Sequence, residues 1–128
     1  MIKMLLVEDE VMIREPFGMV LKTQPFKVDL AANGLEALEY CSKNTYDLIL
    51  LDLMMPFCSG VEFLKKASLK TKSPNTKVIL LTNLAQGKEI DEALALGAEK
   101  SILKASMTPK ALLELVGNEL NSSSLPHH

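Results

Sequence analysis

Asp47-Leu48-Ile49-Leu50-Leu51-Asp52-Leu53-Met54-Met55-Pro56-Phe57-Cys58-Ser59-Gly60 is the stretch that decides the fold. Its four consecutive apolar residues, 48–51, suit a short strand covered on both faces. The run ends on a carboxylate, Asp52, and Pro56 and Gly60 stop the following segment from continuing as a strand. In an open α/β sheet ligands gather just outside the carboxyl ends of the strands, which is where Asp52 falls. Other apolar runs end the same way. Glu8 and Asp9 follow 4–7, Thr82 follows 78–81, and Lys104 follows 102–103. Each of these acids, the hydroxyl and the amine stands at the end of a predicted strand.

With 128 residues the chain is expected to form one domain with a core of its own. A net charge of −2, with no lysine or arginine cluster on any one predicted helix, argues against direct nucleic-acid contact. No apolar run approaches the roughly 20 residues of a membrane span, and residues 1–7 are too short for a secretory leader. Cys41 and Cys58 have neither disulfide-framework nor metal-site spacing, so they read as reduced thiols of a cytoplasmic protein.

Residues 2–7 form the first predicted strand. The acids Glu8, Asp9 and Glu10 then open a helix to about Thr23, with Ile13, Phe17, Val20 and Leu21 on its buried face; Pro16 predicts a kink or a late start. Residues 27–31 make a shorter, more polar strand nearer an edge. A helix follows from Asn33-Gly34 to about Lys43, with Leu35, Leu38 and Cys41 inward. After the Asp52 loop, a third helix spans 60–69 with Val61, Phe63 and Leu64 as anchors and Lys65, Lys66, Lys70 and Lys72 on a solvated face. Residues 77–82 form strand four. Residues 86–96 form helix four, closed by Gly97, and residues 100–103 form strand five. Thr108-Pro109 is an N-cap and first-turn pair for the last helix, on which Leu112, Leu113, Val116 and Leu120 recur at helical spacing. Residues 1–120 make the domain. Residues 121–128 read as a flexible tail, either a linker stump or a tag remnant.

Five strands alternating with five helices imply a doubly wound parallel sheet with helices on both faces. Placing the most apolar strand at the centre gives the order 2-1-3-4-5, with a switch point between strands one and three where Glu8, Asp9 and Asp52 converge. Carboxylates so close repel unless a cation lies among them. An all-oxygen, water-open site suits Mg²⁺. A lysine amine and a threonine hydroxyl at the same crevice complete what phosphoryl transfer requires, namely positioning and charge stabilisation.

The chain resembles the receiver domains of bacterial two-component response regulators, with a flavodoxin-like, chemotaxis-regulator-like fold. The resemblance rests on Leu-Val-Glu-Asp-Glu (6–10), Asp-Leu-Met-Met-Pro (52–56) with Gly60, Leu-Leu-Thr (80–82) and Gly-Ala-Glu-Lys-Ser-Ile-Leu-Lys (97–104). It implies that Asp52 accepts a phosphoryl group from a phosphohistidine of a sensor histidine kinase or a histidine phosphotransfer protein. It also implies that Asp9, Asp52 and the Met54 carbonyl ligate Mg²⁺, with Glu8 acting mainly through water, and that Thr82 and Lys104 grip the phosphoryl oxygens. Such a domain is a switch rather than a turnover enzyme. It signals to an output domain or a homodimer partner through the face made by helix four, strand five and helix five.

Three positions depart from the family pattern. Ala105 stands where proline usually follows the lysine, so the 104–105 peptide is expected to be trans. Ser101 stands where an aromatic switch residue is usual, and Asn83 where a small residue usually follows the threonine. These departures leave a second reading, a degenerate receiver used as a binding or dimerisation module. A dehalogenase-like phosphatase would need an acid two residues after the nucleophile, where this chain has Met54.

Overall fold

The computed structural model describes residues 1–123. Five parallel strands, β1 (Ile2–Val7), β2 (Phe26–Ala31), β3 (Leu48–Leu51), β4 (Lys77–Thr82) and β5 (Lys100–Leu103), form one sheet in the order β2-β1-β3-β4-β5. This is the doubly wound order expected from the sequence. All four residues of β3 are fully buried, as a central strand of a parallel sheet requires.

Because side chains alternate across a strand, each of β1, β3 and β4 feeds two cores. Leu5, Val7, Ile49, Leu51, Val78 and Leu80 face α2 (Gly34–Lys43), α3 (Gly60–Ala67) and α4 (Lys88–Ala95), which contribute Ala37, Phe63, Leu64 and Ile90. Met4, Leu6, Leu48, Leu50, Ile79 and Leu81 face α1 (Val11–Leu21) and α5 (Pro109–Ser123), which contribute Phe17, Leu21, Leu112 and Val116. Each fully buried leucine is worth about 1.5–3 kcal/mol relative to exposure.

Several local expectations are corrected. Helix α1 begins at Val11 rather than in the acidic triplet, because Glu10 is still extended and its N–H donates to the Glu8 carboxylate. Of the kink or late start expected at Pro16, the late start does not occur: the helix runs from Val11 through Pro16 to Leu21. Leu35 is exposed, since α2 turns that side outward and buries Ala37 instead. Helix α3 stops at Ala67, where Ser68 takes a left-handed conformation before a single further turn, Leu69–Lys72. Helix α4 starts at Lys88, after Gly87 at φ +140°. Helix α5 runs to Ser123, three residues past the expected domain end at 120; residues 124–128, the rest of the expected tail, lie outside the described part of the chain.

Other expectations hold at atomic detail. The Asn33 side chain caps α2 by accepting from the Glu36 N–H, and Thr108 caps α5 by accepting from the Ala111 N–H. Gly97, at φ +117°, closes α4: its N–H donates to Leu94 and that of Ala98 to Ala93, the paired bonds of a Schellman motif. The Lys104–Ala105 peptide is trans and opens a 3₁₀ turn, Lys104–Ser106. Cys41 and Cys58 are free thiols, and burial pushes Cys41 up to about 11. No helix among the described residues is long and apolar enough to cross a membrane.

Candidate functional site

The site lies at the carboxyl ends of β1, β3, β4 and β5. Ladder hydrogen bonds carry the sheet geometry one residue past the strands: the Glu8 N–H donates to Ala31 O and the Asp52 N–H to Val7 O, each at 3.0 Å. Glu8 and Asp52 are thereby held on the central strands with only 2% and 3% of their surface exposed. Backbone bonds also frame the loop after Asp52, with Gly60 N–H donating to Leu53 O at 2.9 Å and Gly34 N–H to Cys58 O at 3.1 Å. Both glycines are required by close approach. A Cβ on Gly60 would stand 2.6 Å from Asp52 O, and one on Gly34 2.5 Å from Cys58 O. Between these ties Phe57 projects into solvent at φ +67°, at the centre of a γ-turn closed by the Cys58 N–H on Pro56 O.

Lys104 reaches inward from the end of β5, the edge strand, and is itself buried. Its ammonium donates to Glu8 Oε1 at 3.1 Å and Oε2 at 3.4 Å, to Asp52 Oδ2 at 3.2 Å, and to Glu10 Oε1 at 3.4 Å. Asp52 Oδ1 accepts from the Met54 N–H at 3.4 Å. Thr82 is fully buried, and its hydroxyl oxygen accepts from the Leu84 N–H at 3.2 Å. A cavity of about 280 Å³ opens between Asp9, Glu10, Asp52, Met54, Thr82, Asn83, Leu84 and Lys104.

The expected residues Asp9, Asp52, Met54, Thr82 and Lys104 therefore all line one crevice. Glu8 does not; it lies behind the crevice, with its carboxylate engaged by Lys104 and by the Glu10 N–H. Two contributors went unread in the sequence. Glu10 looks like a helix-opening acid, yet its side chain turns to Lys104. Arg14, one turn into α1, donates to the carbonyls of Glu8 and Asp9 at 2.8 and 3.2 Å and so fixes the acidic loop from outside. The acid–base spacing of Glu10 and Arg14 was the available signal, but it reads equally well as a surface helix pair.

Charge at the site is unbalanced, with one lysine among three acids of the crevice and Glu8 behind it. The consequences differ for the two signs. Burial raises the Asp52 pKa, Lys104 pulls it back through charge and hydrogen bonding, and Asp9 adds to the rise, leaving it above the usual carboxylate range. Burial likewise raises Glu8 against the Glu10 N–H and Lys104. Burial works against the charged Lys104 too, but the hydrogen bond to Glu8 and the charges of Asp52 and Glu8 outweigh it and hold its pKa above the ordinary value. The base gains from the excess of acids while the acids remain short of positive charge.

The donor set is all oxygen, and carboxylate oxygens of Glu8, Asp9 and Glu10 lie within 4.8 Å of one another. Together with the excess negative charge, this chemistry fits a hard divalent cation such as Mg²⁺. A buried carboxylate beside an ammonium, on a cavity that a threonine also lines, is an arrangement able to act as a nucleophile and to hold a small anionic group.

The sequence matches the response regulator receiver domain family over residues 4–117. The chain is 41% identical over 106 residues to a transcriptional regulatory protein, the CpxR homolog of Haemophilus influenzae. That match covers 81% of this chain and 44% of the relative, so the chain spans less than half of that protein's length. It is 36% identical over 96 residues to sporulation initiation phosphotransferase F of Bacillus subtilis, covering 75% of this chain and 76% of the relative. Among solved structures, a CheY-like response regulator receiver domain protein from Methanospirillum hungatei superposes with a TM-score of 0.85 at 28% identity, covering 96% of each chain. Strand order, crevice and sequence agree: the chain belongs to the receiver domains of two-component response regulators.

Proposed function

We propose that this domain is a working phosphoacceptor and that Asp52 is its phosphorylation site. One observation carries the reading. Asp52 is the buried carboxylate at the end of the central strand, 3.2 Å from the Lys104 ammonium, and it opens on the cavity rather than on packed core. In this reading an Asp52 oxygen attacks the phosphorus of a phosphohistidine on a sensor histidine kinase or a histidine phosphotransfer protein. The new O–P bond forms as the P–N bond breaks, and the imidazole leaves with the bonding pair. Lys104 and the Thr82 hydroxyl take two of the phosphoryl oxygens, so charge that builds in transfer meets donors that the sheet holds at the crevice.

Mg²⁺ would be held by Asp9, Asp52 and the Met54 carbonyl, with Glu8 acting through water. It supplies the positive charge that one lysine cannot. Glu8 also keeps Lys104 oriented from behind. The domain acts as a cytoplasmic switch for an output domain or a second copy rather than as a turnover enzyme, and it uses the surface of α4, β5 and α5.

Incubation with acetyl phosphate and Mg²⁺, followed by intact mass, tests the reading. The wild type is expected to gain one phosphoryl group and Asp52→Asn none. No gain in the wild type, or a gain retained by the variant, would overturn the assignment.

A further inference from the structure

An ammonium has three N–H donors, and in this structure all three of Lys104 are taken, by Glu8, Asp52 and Glu10. To grip a phosphoryl oxygen, Lys104 must release one of them. Burial decides which. The side chains of Glu8 and Asp52 are 3% and 4% exposed, and until the O–P bond forms and takes the charge off Asp52, either would be left as a buried charge short of its partner. The Glu10 side chain is 57% exposed, stands at the cavity mouth, and can turn to water at little cost.

We infer that Glu10 is a positioning residue that acts as a displaceable gate: its carboxylate holds the outward-facing donor of Lys104 until an incoming phosphoryl oxygen replaces it. The inference rests on the phosphoacceptor reading and adds a restraint to it. An anionic donor must displace the Glu10–Lys104 pair and approach a mouth that Glu10 makes more negative, so Glu10 slows uptake from small free phosphoryl donors. The side chain of Glu10 makes no capping bond to α1, so its replacement leaves the helix start intact.

Glu10→Gln keeps an amide oxygen within reach of Lys104 and removes the charge. Its phosphoryl uptake from acetyl phosphate, at saturating Mg²⁺ and low ionic strength, is expected to rise about two- to fivefold, the range set by a partly exposed ion pair. Inorganic phosphate titrated into the metal-free protein, followed by the amide resonances of Thr82 and Asn83, should bind tighter by a similar factor. Both differences should shrink in about 0.5 M salt, where screening is strong. Glu15→Gln removes an exposed acid further along α1 and should reproduce neither effect. Equal or slower uptake by Glu10→Gln, or an equal acceleration by Glu15→Gln, overturns the gate. A wild type that takes up no phosphoryl group sinks the phosphoacceptor reading instead. The phosphate titration then still decides the gate, and unchanged affinity in Glu10→Gln refutes it in either case.

Discussion

Replacing Lys104 by methionine keeps most of the unbranched apolar stem and removes the one cation that two buried carboxylates share. At 3.1 and 3.2 Å, each contact is worth roughly 5 kcal/mol of gross attraction at an effective dielectric near 20. Most of that is offset by the several kcal/mol it costs to desolvate each ion. The loss on deleting one partner is therefore expected to be about 3–5 kcal/mol, a large share of the ~5–15 kcal/mol that holds a domain together. The loss should depend on pH, and its sign is fixed. Glu8 and Asp52 already have raised pKa values in the folded protein, and removal of Lys104 raises both further. An acid whose folded pKa exceeds its unfolded value near 4 carries no penalty below that pH, and stability falls as pH rises through the folded value. Lys104, raised above its ordinary value, stays protonated throughout this window in the wild type. Urea unfolding in EDTA, followed by circular dichroism at several pH values between about 4 and 8, should show a small deficit for Lys104→Met at the acid end. The deficit should widen by up to ~1.4 kcal/mol per pH unit for each proton released. A deficit below about 1 kcal/mol at pH 8, or one independent of pH, would refute the claim that Lys104 neutralises buried charge.

Gly34→Ala should destabilise by about 2 kcal/mol in urea unfolding, because the new Cβ falls 2.5 Å from a backbone oxygen that cannot swing aside. Gly117→Ala, in the middle of α5 with nothing within 4 Å of the added carbon, should instead raise stability by about 0.5–1 kcal/mol in the same assay. On the phosphoacceptor reading, Met54 and Leu84 line the approach to Asp52 and can neither orient nor admit an attacking water well. Phosphoryl loss after donor removal should therefore be several-fold faster in the Met54→Asn, Leu84→Glu double variant. An unchanged rate would show that the two side chains only pack against the loops.

Apolar runs that end in reactive side chains made most of this molecule legible. Residues 48–51 announce a central strand, and once the order 2-1-3-4-5 is set, Asp52, Thr82 and Lys104 must meet, because parallel strands put all their carboxyl ends on one edge. What escaped was set by tertiary contact. Nothing local tells Glu10 to turn toward a lysine 94 residues away, or Glu8 to sit behind the crevice rather than in it. Leu35 fits the inward stripe of α2 by spacing, yet the helix presents its small residues, Gly34 and Ala37, to the sheet and the neighbouring loop. Ser68 breaks α3 through a left-handed backbone that no serine-specific pattern predicts.

The position of Lys104 just past the end of β5 has a bearing on how the chain assembles. Strands β1, β3 and β4 can pair using residues up to Thr82 alone, and doing so gathers Glu8 and Asp52 at the sheet edge without the ammonium that neutralises them. On a ribosome, which delivers the chain from its amino end, that arrangement must wait for more than twenty further residues before its counterion emerges. Docking of the edge strand is then more than the burial of one more apolar surface. It quenches a repulsion built into the half-made sheet, and it ties the fate of the outermost strand to that of the innermost two. Receiver and core thus become competent together: a nascent intermediate lacking β5 carries the acids of the crevice but not the cation that lets them stay buried.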